Sequence, residues 1–221
     1  MPVNQAAAQD FVYRHGTLWE RLLFGHLFEG RPLDQVHKAL MAYKNPDDGF
    51  GHGMEHDIRC PDSHPLALEF LLTVLRRTQI DPGPLLEGVA AWVEAHQGSD
   101  GALVNPPNLL DYPHQPWWQE GGQTAPDSIV GNLAAFGLAT PTLLTATRSW
   151  VQAHLTLDAI RGQDWLFMNY HAYDYFFGVQ DFPHLATCRQ AVVENILRCA
   201  AAAPPEQWTT FFLFAPSPDS P

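Results

Sequence analysis

A helix-plus-turn pattern that occurs twice constrains the fold more than any other feature of the sequence. Apolar residues spaced for one face of a helix occupy Leu33–Tyr43 and again Leu86–His96. The first segment leads into Asp48-Gly49-Phe50-Gly51 and the second into Asp100-Gly101-Ala102-Leu103. The helical positions are offset by 53 residues and the Asp-Gly pairs by 52, so a single gap aligns the two copies. A period of this size, built from helix pairs, predicts a repeat architecture.

Helical spacing of apolar residues also covers most of the remaining chain. The expected helices are 5–28, 66–78, 85–97, 128–138, 142–155, 164–177 and 184–202. Asp62 or Ser63 is expected to cap the helix that begins near Pro65. No alternation of apolar and polar residues is long enough for a sheet, although 209–215 is compatible with one short extended piece.

These patterns predict an all-α protein in which helical hairpins stack side by side. We expect one domain over residues 1–215, with repeat units at 33–78 and 86–139 and looser helix pairs on either side. Residues 216–221 form a proline-rich tail that is typical of a linker into another repeat.

The first copy of the pattern resembles a known repeat family. Ala39–Tyr43 followed by Asn45-Pro46-Asp47-Asp48-Gly49-Phe50-Gly51 is similar to the repeats of squalene cyclases and protein prenyltransferase β-subunits, where an inner helix ends in an Asp-Gly-Gly-Phe-like turn. The resemblance implies an α/α toroid, a ring of six hairpins with inner and outer helices. The chain supplies about four hairpins and a partial one, so we expect an incomplete or truncated ring, or an open arc closed by a partner in an oligomer.

Composition and charge limit the partners of the protein. The formal charge of −12 over 221 residues disfavours nucleic acids and anionic membranes. No apolar run approaches the roughly 18 residues that span a bilayer, and no signal peptide is evident. The cysteines, Cys60, Cys188 and Cys199, make no even disulfide set. The expected location is therefore the cytoplasm.

The long segment 44–64 concentrates side chains that are capable of chemistry on a connection between two helices. Glu55, Asp57 and Arg59 alternate, so in an extended segment they project to one side. Two interpretations stay open. Arg59 and the carboxylates form an ion-pair bracket that holds the loop, or they form a polar pocket wall with Glu55 or Asp57 as acid or base.

We expect neither a metal nor another cofactor. His52 and His56 are four residues apart, but the glycines around them disfavour the helix on which two such histidines share a face. The zinc ligands of prenyltransferase β-subunits have no counterpart, because the matching place lacks an Asp-x-Cys pair. The Asp-x-Asp-Asp acid motif of class II terpene cyclases is also incomplete, since Asp47-Asp48 lacks the upstream aspartate.

Two further segments carry candidate binding groups. Tyr112, Trp117 and Trp118 lie on a proline-stiffened loop, either lining a ligand groove or folding over the end of the ring. The helix 164–177 presents aromatic residues on nearly every face, which is typical of an inner helix beside a cavity. Its Tyr170, His171 and Asp174 are either polar groups of that cavity or part of a core in which His171 and Asp174 share a hydrogen bond.

The sequence leaves three function classes open. The first is a cyclase- or prenyltransferase-like protein that binds or transforms an apolar, isoprenoid-like small molecule in a central cavity. The others are a carbohydrate-processing (α/α) toroid, which needs two carboxylates facing one groove, and a non-catalytic binding or scaffold module. Segments 44–64, 108–118 and 164–177 are expected to converge at one site. The candidate catalytic residues are Glu55, Asp57, His171 and Asp174, and the candidate ligand-binding residues are Arg59, Tyr112, Trp117, Trp118 and Tyr170.

Overall fold

The computed structural model describes residues 4–204, and its secondary structure is almost entirely helical. The α-helices are α1 (Gln5–His15), α2 (Leu18–Glu29), α3 (Leu33–Leu40), α4 (Pro65–Thr78), α5 (Val89–Ala95), α6 (Asp127–Ala135), α7 (Pro141–His154), α8 (Leu157–Gly162), α9 (Leu166–Gly178) and α10 (Leu185–Ala202). Two short strands, β1 (Leu103–Val104) and β2 (Gln123–Thr124), pair antiparallel. The all-α prediction is confirmed, while the predicted extended piece 209–215 and tail 216–221 lie outside the described residues.

Three details differ from the sequence-based expectation. The stripe over 5–28 is two helices, because Thr17 caps α2. The Thr17 backbone N–H donates a hydrogen bond to the Glu20 carboxylate at 2.6 Å. The cap of α4 is neither Asp62 nor Ser63. His64 Nδ1 accepts the Ala67 N–H at 3.2 Å instead. Helix α8 was not expected.

No helix within residues 4–204 has the length and apolar character needed to cross a membrane.

The two predicted turns share the same backbone hydrogen bonds. In the first, the Asn45 N–H donates to the Gly49 carbonyl at 2.9 Å, and in the second the Gly98 N–H donates to the Ala102 carbonyl at 2.7 Å. Each donor and each acceptor of one turn is 53 residues from its counterpart in the other. The turns and the preceding helices therefore keep a single offset, and the gap that the sequence comparison introduced is not needed.

The side chains of the turns confirm this register. The carboxylates of Asp47 and Asp100 each accept the backbone N–H two residues later, at 3.1 Å in both turns. The next residue adopts positive φ in both, 71° at Asp48 and 90° at Gly101. Asp47 therefore matches Asp100, and the apparent Asp-Gly match between Asp48-Gly49 and Asp100-Gly101 is wrong by one residue. The left-handed residue is glycine in one copy and aspartate in the other, both of which tolerate this conformation.

Each turn anchors the start of the helix that follows it. Asp47 accepts the Ser63 hydroxyl at 2.7 Å, two residues before α4, and the Trp92 indole N–H of α5 at 3.2 Å. Asp100 accepts the Gln123 amide at 3.2 Å, four residues before α6. The turn carboxylates therefore fix where the long loops return to the helices.

The residue that opens each turn reaches the next helical segment along the chain. Lys44 Nζ donates to the Glu87 carbonyl at 2.5 Å, just before α5, and its side chain is 6% exposed. Its counterpart Gln97 donates to the buried Thr147 hydroxyl of α7 at 2.9 Å. Successive units are therefore joined by equivalent polar contacts.

The loops 44–64 and 98–124 lie against each other. The Arg59 N–H donates to the Pro113 carbonyl and the Gln115 N–H donates to the Asp57 carbonyl, both at 2.9 Å. Asn108 adds a side-chain hydrogen bond to the Asp62 carboxylate at 2.7 Å. The two loops therefore come from different units but form one surface.

Helices α4, α6 and α9 pack side by side, with α6 in the middle. Gly131 of α6 and Gly178 of α9 meet at the closest crossing, where a Cβ on Gly178 would overlap the Gly131 backbone. Asp127 of α6 lies beside His171 of α9, and Gly131 lies beside Tyr175. Because residue numbers rise together along this contact, α6 and α9 run in the same direction.

Gly178→Ala is expected to lower the free energy of unfolding by about 2–3 kcal/mol, because the added methyl group forces α6 and α9 apart. The matched control is Gly162→Ala, since Gly162 also ends a helix and a Cβ there meets no neighbouring atom. We expect the control to change stability by less than about 0.5 kcal/mol. Urea denaturation monitored by circular dichroism measures both variants, and equal losses would contradict the close crossing.

Candidate functional site

Helices α4, α6 and α9 bring four ionisable side chains together in the interior. Glu69 comes from α4, Asp127 from α6, and His171 and Asp174 from α9. Their residues are between 1% and 8% exposed, Asp127 being the least and His171 the most exposed. We call these four residues the acid cluster. Buried charged groups are rare unless they are paired, so the acid cluster is an unusual feature for a helical core.

His171 lies between two carboxylates. Its Nε2 is 3.2 Å from Glu69 Oε1, and its Nδ1 is 3.9 Å from Asp127 Oδ1. Glu69 and His171 each keep a small exposed edge, whereas Asp127 is 1% exposed. Asp127 is therefore the most deeply buried of the three groups.

Asp174 is held by side chains of α4 and α6 rather than by its neighbours along α9. Its Oδ2 accepts hydrogen bonds from Ser128 at 3.0 Å and from Asn132 at 3.2 Å, both on α6. Arg77 of α4 approaches Oδ1 at 3.7 Å. The predicted His171–Asp174 hydrogen bond is therefore wrong, because both side chains turn toward partners on α4 and α6.

Burial shifts the titration of the carboxyl groups upward. Desolvation raises the pKa of Glu69 from 4.5 to about 8 and that of Asp127 from 3.8 to about 6. Desolvation also raises the pKa of Asp174, although the Arg77 charge opposes the shift. Glu69 is therefore protonated at neutral pH while Asp127 is mostly ionised, so two carboxyl groups beside one imidazole hold different charge states.

Glu55 extends the acid cluster toward the loops. Burial raises its pKa from 4.5 to about 7, and the charges of Asp57 and Glu69 add to the shift. Its carboxylate also accepts the Asp57 backbone N–H at 3.1 Å. The structure thus links the predicted loop residue Glu55 to the predicted helix residue His171 through Glu69.

A partly exposed aromatic ring lies against the acid cluster. The Phe167 ring lies 4.5 Å from the His171 ring and is 36% exposed. Phe70, next to Glu69 in the chain, contacts the His56 ring at 4.6 Å and the Trp19 ring at 6.2 Å. A partly exposed ring beside buried polar groups is the combination of apolar and polar surface that small-molecule sites favour.

The predicted loop residues form a second, more exposed group. Trp117 is 63% exposed, and its indole N–H donates to Asp57 Oδ2 at 3.0 Å. Arg59 is exposed and forms no ion pair within the part of the chain that the structure describes, so the expected bracket with Glu55 and Asp57 is not formed.

Tyr112 and Trp118 have a packing role. Both lie against a small apolar cluster that joins the two loops to the start of α4; its buried members are Ile58, Cys60, Leu66 and Leu109. Tyr170, by contrast, lies on α9 and receives the Arg77 guanidinium 5.8 Å above its ring. The predicted aromatic residues are therefore divided between the loop surface and the neighbourhood of the acid cluster.

Glu69 and Asp127 are functional candidates that the sequence patterns missed. Glu69 stands alone among apolar residues in Leu66-Ala67-Leu68-Glu69-Phe70-Leu71-Leu72, a position where helical spacing predicts burial. A single acid on a buried helix face was the available signal. Asp127 follows Pro126 at the start of α6, where it is indistinguishable from an ordinary helix-capping aspartate.

Two other kinds of site were sought among residues 4–204. No three His, Cys, Asp or Glu side chains in this range are arranged to hold a metal ion. A shallow concavity of about 800 Å³ lies on the outer surface, and its wall includes Leu86, Ala91 and Leu138. None of its lining residues belongs to the acid cluster.

Glu69→Gln is expected to flatten the pH dependence of stability. The folded protein keeps the Glu69 proton up to a pKa of about 8, whereas the unfolded chain releases it near 4.5. This contribution to stability is fully present below pH 4.5 and is lost as the pH rises to about 8. The wild-type protein should therefore lose up to about 1 kcal/mol more per pH unit than the variant across this window.

Urea denaturation at several pH values measures the difference, with Glu194→Gln as the control because Glu194 is an exposed glutamate of α10. His64, whose pKa burial lowers to about 4, contributes the opposite slope in acid but does so equally in every variant. Parallel stability curves for the wild type and Glu69→Gln would show that Glu69 is ionised at neutral pH.

Comparisons with family models, with curated proteins and with solved structures find no match to this chain. The arrangement of its own side chains is therefore the basis for a functional assignment.

Proposed function

We propose that this protein binds an apolar, isoprenoid-like small molecule against α4, α6 and α9 and transfers a proton to it from Glu69. The proposal includes a toroid-like array of hairpins of the squalene cyclase and prenyltransferase type. The observation that carries it is a buried carboxyl group, protonated at neutral pH, beside His171, whose ring contacts the partly exposed Phe167. A neutral carboxylic acid in a site with little water is what protonation of a weakly basic substrate needs.

The packing of the helices supports the array. The parallel helices α6 and α9 lie side by side, and α4 packs on the other face of α6. Helices α7 and α10 pack against α6 and α9, respectively. The conserved register of the two turns adds a repeated unit of 53 residues. Alternation of helices that carry the acid cluster with helices that do not is the pattern of inner and outer helices in a toroid.

The proton transfer follows from the order of groups. Glu69 donates its proton to an alkene carbon of the substrate and becomes a carboxylate, and the resulting carbocation loses a proton from a neighbouring carbon to water, which re-forms a double bond. His171, 3.2 Å away, stabilises that carboxylate when the imidazole is protonated. Asp127, on the other side of the ring, stabilises the imidazolium in turn. A proton from solvent then returns to Glu69 through the exposed edge of His171.

Carbohydrate processing is the second candidate, and one observation favours it. Glu55 and Glu69 interact closely enough for the Glu69 charge to raise the pKa of Glu55. A glycosidase likewise uses a pair of carboxyl groups as its acid and its base or nucleophile. The apolar candidate ranks first because the partly exposed ring that contacts His171 is the apolar Phe167.

The proposal is tested by thermal shift and calorimetry with isoprenoid alcohols and, in parallel, oligosaccharides. An isoprenoid alcohol should stabilise the wild-type protein, and Glu69→Gln should bind it at least about tenfold more weakly, which corresponds to about 1.4 kcal/mol for one strong hydrogen bond. Glu194→Gln should behave as wild type.

Incubation with the alcohol in D₂O tests the chemistry separately. Glu69-dependent incorporation of deuterium into the carbon skeleton supports proton transfer. Stabilisation by oligosaccharides alone would favour the glycosidase candidate. No ligand-dependent shift in the wild-type protein would leave the non-catalytic scaffold as the better description.

A further inference from the structure

Two large aromatic side chains at the start of α9 are exposed to solvent. Trp165 directly precedes the helix and is 51% exposed, and the partly exposed Phe167 lies in the first turn. Their rings are 5.3 Å apart, and the Phe167 ring also contacts the His171 ring. We call Trp165 and Phe167 the α9 patch. Adjacent exposed rings form a surface that suits another apolar group.

The last turns of α10 lie beside the α9 patch. The Arg198 guanidinium is 3.0 Å from the Asp164 carboxylate, and the Cys199 thiol donates to the Gln163 carbonyl at 3.5 Å. Gln163 and Asp164 immediately precede Trp165 in the chain. The chain therefore leaves α10 close to the α9 patch.

The residues that follow α10 include an apolar segment of matching chemistry. Trp208–Phe214 has the sequence Trp-Thr-Thr-Phe-Phe-Leu-Phe, with four aromatic residues and no charged residue. An aromatic side chain buries about 150–250 Å² when it is covered, so a segment with several rings gains most from an apolar surface nearby. The α9 patch is such a surface.

The covalent chain brings this segment within reach of the α9 patch. Arg198, which contacts Asp164, is six residues before Pro204, a distance of about 9 Å at the rise of a helix. Trp208 is four residues beyond Pro204, and an extended chain covers at most roughly 3.3–3.6 Å per residue. The linker therefore spans up to about 14 Å, which is long enough for the segment to return to the start of α9.

Charge and concentration favour this segment over a second copy of the protein. A second copy would bring its own formal charge of −12 to the surface, and like charges repel. A segment on a short linker has an effective concentration in roughly the millimolar range, which a separate molecule would have to match.

We propose that Trp208–Phe214 docks on the α9 patch of its own chain. The docked segment adds aromatic surface beside His171 and encloses the apolar side of the acid cluster. The docking does not depend on the proposed function, because it is inferred from exposed rings, covalent reach and composition.

A double-mutant cycle in the full chain tests the docking. Phe167→Ala removes one ring of the α9 patch, and a segment variant carries Phe211→Ala, Phe212→Ala and Phe214→Ala. Urea denaturation gives the folding equilibrium constant of the wild type, of each variant and of their combination. We expect Phe167→Ala to lower this constant at least about threefold more in the wild-type background than in the segment variant, where its partner rings are missing.

Phe11→Ala is the matched control, since Phe11 is an exposed phenylalanine of α1, which packs against α2. Its effect should be the same in both backgrounds. Equal effects of Phe167→Ala in both backgrounds would overturn the docking. Coupling that increases with protein concentration, together with a dimer in size-exclusion chromatography, would place the segment on a second copy and overturn docking on its own chain.

Oxidative footprinting of the wild-type protein provides a second measurement should a variant fail to fold. Trp208 should be oxidised more slowly than Trp117, which is 63% exposed and serves as the internal reference. Oxidation of both indoles at the same rate would contradict the docking. Both measurements are made without ligand, so their failure leaves the proposed function in place, and a negative result with isoprenoid alcohols leaves the docking in place.

Discussion

The close crossing of α6 and α9 is the contact on which the rest of the interior depends. Because Gly131 and Gly178 carry no side chain, the two backbones meet directly, and the side chains one turn away are pressed together. Ser128 and Asn132 reach Asp174 only at this separation, and Asp127 reaches His171 for the same reason. A wider crossing would admit water between the helices and return the carboxyl groups to their ordinary titration.

The acid cluster is costly for a fold of this size. Replacing buried ionic groups by apolar residues of similar volume is often neutral or stabilising in other proteins. Other contacts join the helices outside the acid cluster. Lys44 donates to the Glu87 carbonyl just before α5, and Asp47 accepts hydrogen bonds from Ser63 before α4 and from Trp92 of α5. These helices are therefore joined without the acid cluster. A costly cluster that the fold does not require is consistent with a role in binding or chemistry.

The sequence predicted those parts of the fold that depend on local patterns. Helices α4, α7 and α10 follow from apolar spacing and from the prolines that begin two of them, and the repeated turns follow from Asp and Gly. The Glu69–His171–Asp127 arrangement was not predictable, because it joins three helices whose packing no local pattern specifies. His171 was identified by its aromatic surroundings, whereas Glu69 was hidden in an apolar run and Asp127 in a capping position.

The two turns and the helices before them have the same spacing in both units, whereas the connections after the turns do not. The turns and the helices before them keep the same spacing, while the connections that follow, Phe50–Pro65 and Leu103–Asp127, differ in length. The connections can differ in length because each one is held again at its end. Asp47 binds Ser63 just before α4, and Asp100 binds Gln123 just before α6. Insertions in these connections can thus add new surface beside the turns without displacing the turns or the helices before them.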